Sequence, residues 1–220
     1  MLDPTVPVDI GALSQRRRIV EAMVEICAEK TFAATTIADI VSRASVSRTT
    51  FYKHFADKRT CFDAALDVCI EELEGVAQKA HEAADSPAEA TRKSLASILD
   101  VLATNPALAQ LALAESVTVD SAVVERYRKL TIPALEQLWT QTGEPLRTYS
   151  DVRVALDRVQ VLIFDQLSCG RVKQLPELLP EIVYIVVLPF AGHAEALRQA
   201  RLVANEQPPS SGAADGGNGR

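Results

Sequence analysis

The chain has 220 residues, 48% of them hydrophobic and 24% charged, and a formal net charge of −6. That balance supports a sizeable core and excludes a chain too polar to fold; the longest apolar run, "IVYIVVLPFA" at 182–191, is about half the length of a membrane span. The charge is uneven: residues 1–60 hold nine Lys/Arg against seven Asp/Glu, and residues 61–220 fourteen against twenty-two, so a polyanion would dock at the front.

Apolar residues recur at three- and four-residue steps along nearly the whole chain, which predicts an all-α fold. The opening "MLDPTVPVDIGALS" carries acids and prolines where a signal peptide needs cations and an apolar run. Residues 1–12 therefore read as a loose arm, and a cytoplasmic location is expected. A first helix is predicted over roughly 14–31, with Ile19, Met23, Ile26 and Cys27 on one face. A short second helix runs from Thr36 to Arg43; its "TIAD" start matches a capping box in which Asp39 reaches back. After "ASV", Ser47 is the N-cap of a third helix to about residue 55. A long helix then runs from Asp57 to about Ala84. Further helices are predicted near 87–103, 106–117, 120–141, 150–169 (closed by Gly170) and 176–203, and the polar tail 204–220 should be disordered. Residues 13–56 thus form a three-helix unit, and 57–203 a six-helix bundle joined to it through the long helix.

The stretch "SRTTFYKHFADK" at 47–58 stands out. At about 100° per residue, Phe51 and Phe55 point inward with Ile37, Ile40, Val41 and Val46. Thr49 and Lys53 point outward, flanked by Arg48, Thr50, Tyr52 and His54. That outer face holds no carboxylate, although acids outnumber bases in the chain. Lys58 falls in a helix's first turn, where the macrodipole disfavours cations; a phosphate docked there would explain it. Two short helices joined by a tight turn make a helix-turn-helix, whose second helix reads base edges in the major groove.

The run "TTIADIVSRASVSRTTFYKHFADKRTCF" resembles the DNA-binding signature of the TetR family of bacterial transcriptional regulators, and the helix count of the remainder fits the family plan. The resemblance implies DNA contacts from Thr36, Ser47, Arg48, Thr49, Thr50, Tyr52, Lys53, His54 and Lys58. Arg48, Thr49, Thr50 and Tyr52 would meet base edges and the sugar–phosphate backbone, Lys53 and His54 would flank them, and Thr36 and Lys58 would clamp phosphates. Arg48 suits a guanine O6/N7 pair, and threonine a thymine methyl. "RRR" at 16–18 is either a solvated helix end or a further backbone or minor-groove contact. One departure is Ser45, where the family usually has glycine in the turn.

The larger half lacks a catalytic constellation. His54, His81 and His193 are far apart in sequence, no His/Glu pair has metal spacing, and Cys169 has no nearby histidine to activate it. No enzyme, cofactor or metal is expected, and Cys27, Cys61, Cys69 and Cys169 read as reduced, buried thiols. The resemblance implies an effector-binding and dimerisation domain. The apolar circumference of 182–191 and the run "VQVLIF" at 159–164 predict a four-helix dimer interface, and a two-fold dimer implies a palindromic operator. Candidate effector contacts are Glu115, Tyr127, Trp139, Phe164 and Gln166, for a small lipophilic effector. The expected function is a sequence-specific repressor released by that effector; the alternative is a DNA-binding protein of the same fold controlled by a protein partner.

Overall fold

The computed structural model describes residues 10–115, 129, 131–133, 135–137, 139–140 and 149–206. Among these residues the regular elements are all helical. They are α1 (Ile10–Glu29), α2 (Ile37–Arg43), α3 (Arg48–His54), α4 (Lys58–Glu82), α5 (Pro87–Thr104), and α6 (Pro106–Ala109), which runs into a π-helical segment, Gln110–Glu115. After the described residues of 129–140, which are helical, come α7 (Tyr149–Ser168), a 3-10 segment (Val172–Leu178) and α8 (Leu179–Glu206).

The helix starts follow from local chemistry. Thr36, Ser47, Asp57, Ser86 and Asn105 each cap a helix by accepting the N–H three residues on, so one orphan donor per helix is satisfied. Pro87 and Pro106 stand in the first turns, where a missing N–H is harmless. Gly170 ends α7 at φ +70°: its N–H donates to the Leu167 carbonyl at 3.0 Å, and that of Arg171 to the Gln166 carbonyl at 2.8 Å.

Three boundaries depart from expectation. α1 begins at Ile10 rather than near residue 14, so residues 10–12 are helical and not part of an arm. Past Pro7 nothing forbids helical backbone, and Gly11 costs only about 1 kcal/mol there. The helix expected over 106–117 is α-helical only to Ala109; beyond it the turns widen by one residue. The final helix is preceded by a 3-10 segment containing Pro176 and is broken at Gly192, whose φ of 76° and ψ of 178° no α-helix contains.

One main hydrophobic core joins the two halves. It runs from Ile19, Met23, Ile40 and Phe51 through Phe62, Ala65, Leu99 and Leu102 to Trp139, Ile163, Ile182 and Val187. Since α4 packs against α1 on one side and α5 on the other, it joins the front unit to the bundle within this core. The 172–205 stretch has the length and hydropathy of a membrane helix, yet Ile182, Val183, Val186, Val187 and Phe190 are buried in this core. That corrects the reading of 182–191: its all-round apolar character is largely met inside the subunit. Three exposed apolar side chains lie on α7, where Val154 is 66% exposed, Val161 62% and Phe164 37%; Leu13, Val68 and Leu202 are exposed on other helices.

The thiols divide. Cys27, Cys61 and Cys69 are buried, and burial pushes the Cys61 and Cys69 thiols up to about 12. Cys169 is exposed, contrary to expectation, because α7 ends there and the chain turns away at Gly170.

Ser45, in the turn between α2 and α3, is the one described non-glycine residue with positive φ, at 53°. A left-handed L-residue costs about 1–2 kcal/mol, while glycine loses roughly 0.5–1 kcal/mol more backbone entropy on folding. Ser45→Gly should therefore stabilise the protein by up to about 1 kcal/mol, raising Tm by about 2–4 °C in a thermal melt. An unchanged or lowered Tm would show that the serine is not strained.

Candidate nucleic-acid interface

Helix α3 is short and has two distinct sides. Phe51 is fully buried and Phe55 nearly so, with their rings 5.8 Å apart, while Ile40 is buried beneath them and Ile37, Val41 and Val46 pack around this core. Anchoring two phenyl rings one turn apart fixes the rotation of α3 about its axis. Arg48, Thr49, Tyr52 and Lys53 are consequently exposed, with Thr50 and His54 at the margin. Tyr52 packs edge-on against Phe51 at 5.5 Å, so its ring is braced even though half of it is in solvent. Ser47 caps α3 through the Thr50 N–H at 3.0 Å, and its hydroxyl is 2.9 Å from that of Thr50. All the expected α3 residues thus share one outer surface.

Several nearby cations are neutralised. Arg17 meets Glu21 at 2.7 Å, Lys30 meets Asp39 at 2.6 Å, and Arg59 meets Asp63 at 2.9 Å. Arg43, at the end of α2, is gripped by Glu25 at 3.0 Å and Glu29 at 2.7 Å on α1. Those two acids lie four residues apart on one face of α1, a signal present in the sequence but unused. Arg16 lies over the Phe55 ring at 5.2 Å, and Arg18 lines a shallow groove with Glu21, Glu25 and Arg43. Among the described residues, no carboxylate pairs with Arg48 or Lys53. Arg48 and Lys53 thus leave unpaired charge on the recognition surface, as Arg16 and Arg18 do on α1.

The two proposed phosphate clamps differ in what they offer. Thr36 is exposed at the start of α2, but its hydroxyl donates to Asp39 Oδ2 at 2.7 Å and accepts the Asp39 N–H at 3.2 Å. Its own N–H goes to the same carboxylate at 2.8 Å, completing the expected capping box. Lys58 departs from the expected geometry. Its ammonium donates to the Phe32 and Thr35 carbonyls, both at 2.8 Å, and lies 4.3 Å from the Phe32 ring centroid. Two carbonyl dipoles and a ring face supply the negative potential that a phosphate was invoked to supply.

Three of the five effector candidates, Trp139, Phe164 and Gln166, have described side chains. Trp139 is buried, stacked 5.4 Å from Phe190, and donates its indole N–H to Thr91 Oγ1 at 3.3 Å. Gln166 Oε1 is buried with no hydrogen-bond partner among the described residues. Phe164 is partly exposed on α7. Tyr127 and the Glu115 side chain lie outside the described residues. Sequence reasoning missed the polar contacts of α5 with α8, where Arg92 donates to Gln199 Oε1 at 3.2 Å and Gln199 to Glu195 at 2.9 Å. Among the described residues there is no cluster of three or more metal-ligating side chains.

Known proteins agree with this geometry. Residues 19–65 match the family model "Bacterial regulatory proteins, tetR family". No curated protein matches the chain. Among solved structures, the fatty acid degradation regulator FadR from Bacillus halodurans is similar at 15% identity and TM-score 0.64, covering 81% of this chain and 97% of its own. FadR from Bacillus subtilis, solved with stearoyl-CoA, gives 17% and 0.64 over 80% and 98%. The tetR regulator tylp from Streptomyces fradiae gives 18% and 0.62 over 89% and 98%. At these identities the likeness concerns the fold.

The carboxylates that hold the front unit together carry a pH dependence. The Lys30 ammonium, then the Thr36 hydroxyl and N–H, hold the Asp39 carboxyl well below the usual range; the Arg43 guanidinium lowers Glu29, and the Thr60 N–H and hydroxyl lower Asp57. A lowered folded-state value means that the stabilisation is complete above the unfolded carboxylate range and disappears as pH falls through the folded values. Melting midpoints of the wild type should therefore drop as pH falls from about 4 to 2, and those of Asp39→Asn should start lower and fall less steeply. Parallel curves would remove Asp39 from the acid response.

Proposed function

We propose that this chain, whose helix-turn-helix unit belongs to the tetR family of bacterial regulatory proteins, is a dimeric cytoplasmic repressor that leaves a palindromic operator when a small lipophilic effector binds. The observation that carries the reading is that Arg48 and Lys53 stand exposed on α3 beside hydroxyls, a phenol and an imidazole, with no carboxylate paired to either among the described residues, while Arg17, Lys30, Arg43 and Arg59 are paired. Such a surface is complementary to a groove lined by phosphates and base edges. In this reading Arg48 takes a guanine O6/N7 pair, Thr49 and Thr50 reach base edges or sugars, and Tyr52, Lys53, His54, Ser47 and Thr36 orient the unit on the backbone.

The dimer reading draws on Val154, Val161 and Phe164, which form one uncovered apolar stripe on α7 beside α8. A second copy packed there gives two recognition helices related by a two-fold axis, hence two half-sites about 34–36 Å apart. The effector reading draws on the likeness to FadR from Bacillus subtilis, solved with stearoyl-CoA, and to a gamma-butyrolactone receptor. Within the bundle, Trp139 and the unsatisfied oxygen of Gln166 are the candidates suited to such a guest. An effector acts only if it binds the DNA-competent and DNA-incompetent spacings with different affinity.

Two substitutions on α3 test this reading against duplexes selected from a random pool. Arg48→Ala should cost about 1–3 kcal/mol on the selected operator and little on random DNA. Lys53→Ala should weaken both and reduce the salt slope by about one unit. Equal losses from Arg48→Ala on both duplexes would make it a backbone contact, and no selectable operator would overturn the assignment.

A further inference from the structure

A lysine in the first turn of a helix is electrostatically misplaced, because the exposed N–H groups there already carry positive charge. In α4 the compensation comes from within the chain. Lys58 is half-buried, and its ammonium donates to the carbonyls of Phe32 and Thr35 while facing the Phe32 ring, which itself packs 4.7 Å from Phe62 of α4. The segment it grips, between α1 and α2, ends at the capping residue of the helix-turn-helix: Thr35 is buried, and Thr36 next to it is the N-cap of α2.

We propose that Lys58 is a positioning residue that fastens the loop capping α2 to the first turn of α4, so that the recognition unit keeps its setting on α4 without Lys58 itself contacting DNA. This rests on the proposed function above and assigns Lys58 a different role from the phosphate clamp its sequence position implies. The geometry supports it in two ways. Two of the three ammonium donors have short partners, so a phosphate would compete with bonds already formed. The gripped carbonyls also belong to the segment that sets where α2 begins. α2 in turn sets α3 through the shared packing of Ile40 and Phe51. The cation–ring contact adds a restraint that disfavours other lysine rotamers.

The consequence separates two kinds of lysine. A phosphate contact acts by charge, so its loss lowers the salt slope on every duplex. A brace acts by geometry, so its loss blurs discrimination. Mere loss of folded protein would lower both affinities alike and leave their ratio unchanged.

The test measures full-length wild type, Lys58→Met and Phe32→Leu on the selected operator and on random duplex, from about 50 to 200 mM salt. For Lys58→Met we expect the operator-over-random ratio to fall about tenfold, comparable to losing one charge-assisted hydrogen bond, with the salt slope unchanged. Phe32→Leu, which removes no charge, should lower the ratio in the same direction; it decides the matter if Lys58→Met does not fold. A salt slope reduced by about one unit on both duplexes would overturn the proposal in favour of a phosphate contact. An unchanged ratio in the variants that fold would overturn it too. Should wild type discriminate no duplex at all, the DNA reading itself fails. Amide exchange in the free protein then judges the brace: Thr35, Thr36 and Asp39 must exchange at least about tenfold faster in Lys58→Met, or in Phe32→Leu if the former does not fold, and equal rates would dismiss it.

Discussion

The burial of Phe51 is the constraint on which the recognition surface depends. A seven-residue helix has little stability of its own, and its orientation is set by whatever it buries. With Phe51 wholly inside and Phe55 one turn later, α3 can present only one arc to solvent. Arg48, Thr49, Tyr52 and Lys53 occupy that arc. The specificity of the surface is thus a by-product of packing: the same phenyl rings that close the core aim the polar side chains outward.

Around this anchor the charges are sorted by pairing. Arg43 joins α2 to Glu25 and Glu29 of α1, and Lys30 joins the end of α1 to the capping carboxylate of α2. These exposed pairs contribute modest stability each, but they withdraw cations from competition for a polyanion. Among the described residues, Arg48 and Lys53 on α3 keep their charges free. Continuity of the core through α4 then links this surface to the bundle, so a change in how the bundle packs can reach α3 without a flexible joint.

Much of this was legible in the sequence because it is written in local chemistry. The capping residues Thr36, Ser47, Asp57 and Ser86 mark helix starts wherever a side-chain oxygen can reach an orphan N–H. The inward and outward sets of α3 follow from its period alone. Tertiary partners were not legible. Lys58 reads as an exposed cation because the Phe32 and Thr35 carbonyls it bonds lie more than twenty residues away. The 182–191 run reads as an interface because periodicity cannot say whether a neighbour belongs to the same chain. Phe164 and Trp139 looked alike as aromatic candidates, and only packing separates the exposed ring from the stacked one. Cys169 misled because it stands just past the last residue of α7, a boundary that periodicity places only to within a residue or two.

The most direct test of the central claim, that α3 reads the major groove through Arg48, is methylation protection of guanine N7 on a selected operator. The account predicts protected guanines in two symmetric clusters about 34–36 Å apart, or a multiple of that spacing, with protection lost in Arg48→Ala while the backbone footprint persists. Protection confined to the minor groove, or guanine protection unaltered by Arg48→Ala, would contradict it.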